Sequence, residues 1–248
     1  MTAPTFLVDP GLLTGVGPGA ELLLDGAEGR HAATVRRLTA GERLDLADGA
    51  GTVAVCVVAA AHRDALTVRV ESVAAEAAPS PRLTVVQALP KGDRGELAVE
   101  TMTEVGADAI VPWSAARCVT QWRGERGAKS LTRWRRTARE AAKQARRRWV
   151  PSVAEPVSTR AVAELLAGAD LAVVLHESAT EPLAGLTPPT GGEIVVVVGP
   201  EGGITDAELA TFVAAGARVC RLGPSVLRTS TAGVVAGAVL LAASGRWG

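Results

Sequence analysis

Two rhythms of apolar and polar positions divide the chain. From Arg82 onward, short uninterrupted apolar runs alternate with segments whose apolar residues recur at helical spacing. Leu83–Leu89, Ala109–Val111, Leu171–Leu175, Ile194–Val198 and Arg218–Leu222 read as strands. Gly95–Val105, Arg160–Ala167, Asp206–Ala215 and Thr231–Ala243 read as helices. Continuous apolar strands alternating with helices predict an α/β domain with a parallel sheet covered on both faces. The earlier part is choppier. Gly11–Gly19 is rich in Gly and Pro, and Arg43–Leu46, Thr52–Ala59 and Ala65–Val70 read as strands parted by polar or Gly-containing turns. With one helix over Gly29–Leu38, this pattern fits a small β-barrel-like domain. A composition break with two prolines, Ala74–Pro81, separates the halves, so the expected division is 1–75, a linker at 76–81, and 82–248.

Composition supports a packed core of small side chains: 48% of the 248 residues are hydrophobic but only 3% aromatic, which suits helices laid closely on a sheet. Cys56, Cys118 and Cys220 are far apart, as are His31, His62 and His176, so buried free thiols are expected and no metal site. The N-terminus lacks a basic region followed by an apolar stretch, and the apolar runs are strand-length. A cytoplasmic protein with no membrane segment is the expectation.

The net charge of zero hides an asymmetry. Between Arg117 and Arg148 stand twelve Arg or Lys against Glu125 and Glu140, a concentration of the kind that binds a polyanion. Within it, Leu131, Trp134, Ala138, Ala141, Ala145 and Trp149 recur at three- and four-residue steps and predict one apolar helix face. Arg133, Arg136, Lys143 and Arg147 fall on the wet side. So few acidic neighbours argue against i,i+4 salt bridges and for phosphate contacts.

Two further segments carry candidate chemistry. In the first, the strand Ile194–Val198 runs into Gly199-Pro200-Glu201-Gly202-Gly203, after which Thr205 is placed to cap a helix and Glu208 to complete a capping box. Glycines at a strand's carboxyl end let a ligand approach the backbone, in the crevice where open α/β sheets bind ligands. An ordinary strand-to-helix turn shares this pattern. The spacing excludes a P-loop and a dinucleotide fingerprint. In the second, Leu222 and Gly223 lead through Val226 and Leu227 to Arg228 and Thr229 at a helix entrance. A cation beside the positive end of a helix is electrostatically disfavoured, which suggests a role facing an anion or polarised ligand. A surface arginine pointing into water is the alternative.

Taken in order, these segments resemble the RsmE family, the 16S rRNA (uracil(1498)-N3)-methyltransferases of the SPOUT class. The similarity runs through His31 and Val35-Arg36-Arg37-Leu38, then Lys91-Gly92-Asp93-Arg94 with Glu100–Gly106. It continues through Arg117-Cys118-Val119, Arg133-Trp134 and Glu140–Gln144, and ends in the two glycine-containing blocks. The resemblance implies an N-terminal PUA-like barrel, a C-terminal domain with a deep trefoil knot, and a homodimer. It implies S-adenosylmethionine (SAM) held by three loops: Leu175, His176 and Glu177; Gly199, Pro200, Gly202 and Gly203; Leu222, Gly223, Val226, Leu227 and Thr229. Its RNA partner, 16S rRNA or the 30S subunit, would meet His31, Arg36, Arg37, Lys91, Arg94, Arg117, Arg133, Arg136 and Arg147.

Methylation of uracil N3 requires loss of its proton and stabilisation of the resulting anion. Arg228 is the candidate for that charge, and Glu201 the candidate base or loop support, with His176 third. The chain departs from the family's usual pattern at Thr5, where an Arg precedes the first aromatic, and at Ser230, where a Glu is usual. A non-catalytic RNA-binding assembly factor, or a SPOUT enzyme acting on another RNA, stays open at this point.

Overall fold

The two rhythms sort into two sheets. The computed structural model describes residues 3–9 and 11–248; Met1 and Thr2, part of the stretch read for a leader, lie outside the described residues with Pro10. The first sheet comprises β1 (Thr5–Leu7), β2 (Glu21–Leu24), β3 (Arg43–Ala47), β4 (Thr52–Ala61) and β5 (Leu66–Ala75), in the order β1-β3-β4-β5-β2. All its pairs are antiparallel except β1 with β3. Burial alternates along β4 and β5, as in strands with one wet face, and Leu44, Leu46, Cys56, Leu66 and Val68 form the inner layer. Helix α1 (Gly26–Arg30) continues into a π-helical turn, His31–Val35, in which the Arg36 N–H donates to His31 O at 2.9 Å. The helix therefore starts and stops earlier than its apolar pattern suggests; Arg37, at φ 53°, turns the chain out of it.

The second sheet has seven parallel strands in the order β10-β12-β9-β11-β6-β7-β8. They are β6 (Arg82–Ala88), β7 (Ala109–Trp113), β8 (Ser152–Val153), β9 (Leu171–Leu175), β10 (Glu181–Pro182), β11 (Glu193–Val198) and β12 (Arg218–Arg221). Helices α2 (Arg94–Val105), α3 (Gly124–Gln144), α4 (Thr159–Ala167), α5 (Asp206–Ala214) and α6 (Thr229–Ala243) complete the chain. The central strands are buried nearly end to end, as the continuous apolar runs require. Glycine brings α6 close: a Cβ at Gly233 would stand 2.7 Å from Met102 Sδ and 3.4 Å from Val85 Cγ1.

Contacts divide the chain into two units, one running to Ala78 and including Ala142–Val150, the other Pro79–Ala141 with Pro151–Gly248. The segment 142–150, which the sequence reading leaves in the second domain, thus groups with the first. Leu131, Trp134, Ala138 and Ala141 are buried along α3. The helix stops at Gln144, however, so Ala145 and Trp149 do not extend that face. Arg146 adopts φ 54°, and the N–H groups of Arg146 and Arg147 donate to Lys143 O (3.1 Å) and Ala142 O (2.8 Å), a Schellman-type end. Trp149 then forms an isolated antiparallel bridge with Ala50.

Strand order sets the site. β12, β9 and β11 are neighbours, so Arg221, Leu175 and Val198 end side by side at one edge of the sheet. β6 follows β11, which brings the chain leading to Lys91 and Arg94 to the same edge.

Candidate active site

The loop after β11 is built from backbone, and neighbouring side chains hold it. Gly203 takes φ 75°, a conformation rare for other residues. A Cβ at Gly199 would meet Ile204 Cγ1 at 2.8 Å, so the loop closes over the Ile204 side chain. The Thr229 hydroxyl donates to Gly199 O (3.1 Å), Arg117 Nη1 donates to Gly202 O (3.2 Å), and Glu201 Oε1 accepts from the Lys91 N–H (3.2 Å). At the far end Thr205 and Glu208 form the capping box read from the sequence, with Oε2 accepting from the Thr205 N–H (3.0 Å) and hydroxyl (2.7 Å). Oε1 of the same carboxylate accepts from the Ala116 N–H (2.8 Å) and the Thr159 hydroxyl (3.3 Å). Burial alone would raise the Glu208 carboxyl, but the donors from Ala116, Thr205 and Thr159 outweigh it and hold the group below its ordinary value.

A cavity of about 350 Å³ opens over these strand ends, within the range of small-molecule sites. Leu175, His176 and Glu177 line it from the loop after β9; Gly199, Pro200, Glu201 and Gly203 from the loop after β11; Leu222, Gly223, Val226, Leu227, Arg228 and Thr229 from the loop after β12. Three segments distant in sequence therefore meet in one place. Gly202 differs from the other cofactor candidates. It does not line the cavity but backs onto the Arg117 segment, where a Cβ would lie 3.0 Å from Arg117 Cβ.

Arg228 caps α6 without a side-chain cap bond and faces the cavity. His176 Nδ1 accepts from the Ser178 N–H (3.3 Å), so in the neutral ring Nε2 carries the proton. Arg94, read from sequence as an RNA contact, also lines the cavity, as does Arg221, which the sequence reading missed. Its signal was a basic residue at the very end of a strand, directly before Leu222-Gly223. Among the described residues no carboxylate forms an ion pair with Arg94, Arg221 or Arg228, although Glu177 and Glu201 line the same cavity, so the three guanidinium groups are free to meet a ligand.

The predicted RNA-contacting residues fall into different situations. Arg36 and Arg37 are exposed. The His31 ring meets Phe6 edge-on at 5.8 Å, and Lys143 Nζ lies 3.5 Å from its Nδ1. Lys143, expected on the wet side, is only 14% exposed and pairs with Glu28 Oε2 at 2.6 Å. Arg133 pairs with Glu96, Arg135 with Glu155, and Arg148 with Glu76. Acidic partners absent from the local sequence are thus supplied from elsewhere in the chain. Arg147 is half-buried in the segment that groups with the first unit. Among the described residues Arg126, Lys129 and Arg136 remain exposed without an ion pair, and with Arg133 they occupy an arc of about 80° on α3 at 100° per residue. α3 is held against α2 beside the cavity, since a Cβ at Gly95 would meet the Trp134 indole at 2.7 Å. The three cysteines are free and buried, and burial pushes Cys56 and Cys220 up to about 11. Among the described residues no cluster could hold a metal, and no helix is long and apolar enough to cross a membrane.

A glycine-lined cavity over the ends of parallel strands defines an α/β protein that binds a small molecule at that edge of its sheet. Sequence profiles agree: residues 77–241 match the RNA methyltransferase domain, and residues 24–71 the RNA methyltransferase PUA domain. The chain is 47% identical over 251 residues to the ribosomal RNA small subunit methyltransferase E of Mycobacterium tuberculosis, covering 100% of this chain and 94% of the relative. It belongs to the ribosomal RNA small subunit methyltransferase E family. A methyltransferase from Legionella pneumophila, solved with bound SAM, superposes with a TM-score of 0.86 at 29% identity over 98% of each chain. The ribosomal RNA small subunit methyltransferase E of Neisseria gonorrhoeae, bound to S-adenosyl methionine, gives 0.84 at 26% identity, over 97% of this chain and 98% of that one.

Proposed function

We propose that this protein transfers a methyl group from SAM to N3 of uridine 1498 in 16S rRNA, presented by the 30S subunit. The observation that carries the reading is the cavity where the loops after β9, β11 and β12 converge, with Arg228 at its edge. Its lining suits SAM. Leu175, Val198, Ile204 and Leu222 offer apolar walls for an aromatic ring, Gly199 and Gly223 exposed backbone for its polar edge, and guanidinium groups a counter-charge for a carboxylate. SAM supplies an electrophilic methyl on a sulfonium. The chain's own task is to hold the uracil in line and stabilise the negative charge that spreads to its carbonyl oxygens once N3 loses its proton. Arg228 meets that need, because it stands at the helix entrance and among the described residues forms no ion pair with a carboxylate. Glu201, whose carboxylate already accepts from Lys91, is better suited to supporting the loop than to taking the proton.

The finer architecture follows from the same reading. The loops after β9, β11 and β12 form the trefoil knot, supported by strands whose spatial order differs from their sequence order. The working unit is a homodimer, supported by apolar positions left uncovered on and beyond α6, Val235 at 38% and Trp247 at 54% exposure. The basic stripe of α3, Arg126, Lys129, Arg133 and Arg136, tracks the RNA backbone, and the small β-unit adds Arg36 and Arg37. The protein works in the cytoplasm, where its substrate is.

Methyl transfer from labelled SAM to 30S subunits, followed by mapping of the modified nucleotide, tests this. Label at N3 of uridine 1498 is expected. Label at another RNA, or RNA binding without transfer, would replace the reading by one of the alternatives kept open above.

A further inference from the structure

The Gly199–Ile204 loop contributes mostly backbone to the cavity, so its shape depends on what holds it from behind. Four attachments do so, and one differs in kind. Thr229, Lys91 and Arg117 each contribute a single hydrogen bond to the loop. Glu208, 5% exposed, uses both carboxylate oxygens at once. Oε2 fixes Thr205 by its N–H and hydroxyl, while Oε1 fixes the Ala116 N–H and the Thr159 hydroxyl. Three segments are thereby joined at one buried point: the end of the loop, the chain after β7, and the first residue of α4. Thr205 directly follows Ile204, which lines the cavity and fills the space beneath Gly199. A shift at Thr205 therefore moves the cavity floor.

We propose that Glu208 is a positioning residue for the cofactor cavity, holding Ile204 and the glycine loop in register with the Ala116 segment through its two separately engaged oxygens. The inference rests on reading the cavity as the SAM site. Its chemistry makes a sharp demand on side-chain type. Each oxygen accepts from a backbone N–H, and those donors cannot rotate away. An amide of the same shape has only one oxygen, so its NH2 would face either the Ala116 or the Thr205 N–H, donor against donor. Glutamine at this position therefore keeps the volume and loses one of the two attachments.

The test titrates SAM calorimetrically into wild type, Glu208→Gln, Thr159→Val and Thr205→Ser, and compares KM for SAM with kcat on 30S subunits. Glu208→Gln is expected to weaken SAM binding about tenfold and raise KM for SAM in parallel, with kcat at saturating SAM and RNA affinity within about twofold. Thr159→Val, which removes the longest of the four carboxylate hydrogen bonds together with the acceptor of the buried Trp113 Nε1–H (3.2 Å), should weaken SAM about twofold to threefold, and Thr205→Ser, which keeps the hydroxyl, should match wild type. A residue that serves only general stability would lower the melting temperature without separating KM from kcat. SAM affinity unchanged in a folded Glu208→Gln, or a fall in kcat with KM unmoved, overturns the proposal. Should Glu208→Gln fail to fold, Thr159→Val decides: weakened SAM supports the role, and wild-type affinity overturns it. A wild type that binds no SAM overturns the reading of the cavity and this proposal with it, whereas wild-type binding with unaffected variants overturns the proposal alone.

Discussion

The glycine loop after β11 and the basic segment from Arg117 to Arg148 were both conspicuous in the sequence, yet they differ in what local pattern reveals. The loop's own conformation follows short-range rules, although the groups that tether it, Lys91, Arg117 and Thr229, come from distant segments. Thr205 caps its helix three residues from Glu208, as the spacing requires, and Gly203 adopts the positive φ that its residue type permits. The basic segment is governed by distant partners. Glu28, Glu76, Glu96 and Glu155 lie far from the arginines and lysine they pair with, and no spacing rule within the segment points to them. Caps and turns can be read locally, whereas the fate of a charge depends on what the fold brings beside it.

Substitutions that separate bound charges from available ones break or sharpen this contrast. The largest effect is expected at Arg228. Replacing it with Ala should cut single-turnover methyl transfer about 10²–10³-fold, the scale for losing one donor to a developing anion, while calorimetric SAM affinity stays near wild type. Full transfer by the variant would remove the charge-stabilising role. Next comes Lys143→Ala, which strands Glu28 in a partly buried site. A loss of about 1–3 kcal/mol in denaturant unfolding is expected, with the salt dependence of RNA binding unchanged. A flattened salt slope instead would return Lys143 to the RNA-contacting set.

Smaller still is the effect of Lys129→Ala and Arg136→Ala. Each should lower the slope of log affinity against log salt by about 0.7–0.9 without altering SAM binding. Equal slopes in these variants and wild type would mean the exposed stripe meets no phosphate. The least effect concerns acid. Glu208 is held below its ordinary 4.5, so its contribution to stability is present above that value and lost as pH falls through the lowered one. Glu208→Gln should lack this acid step in unfolding curves; an identical acid limb in both proteins would show that the carboxylate's bonds do not contribute to stability.

Much of the parallel sheet was legible because buried strands leave continuous apolar runs, as in Ile194–Val198 and Leu171–Leu175. The short strands β8 and β10, two residues each, carry no such signal. The end of α3 was hidden because Arg146, not glycine, takes the left-handed position, and because Trp149 continues the apolar spacing while bridging to Ala50. In the site, the glycine and arginine blocks were visible as motifs. That Gly202 packs against Arg117, and that Arg94 and Arg221 share the cavity, follows from strand order and loop packing, which one-dimensional spacing does not encode.

The central claim is that the cavity over β9, β11 and β12 is where SAM binds. Gly223 lines it, and a Cβ there would meet nothing within 4 Å, so a larger side chain is admitted at the cavity wall with no clash at its first atom. Calorimetric titration of SAM into wild type and Gly223→Trp, with thermal unfolding recorded for both, tests the claim most directly. Saturable binding by the wild type and none by an equally stable Gly223→Trp is the predicted result. Equal binding by the two proteins, or no binding by the wild type even with 30S subunits present, would contradict it.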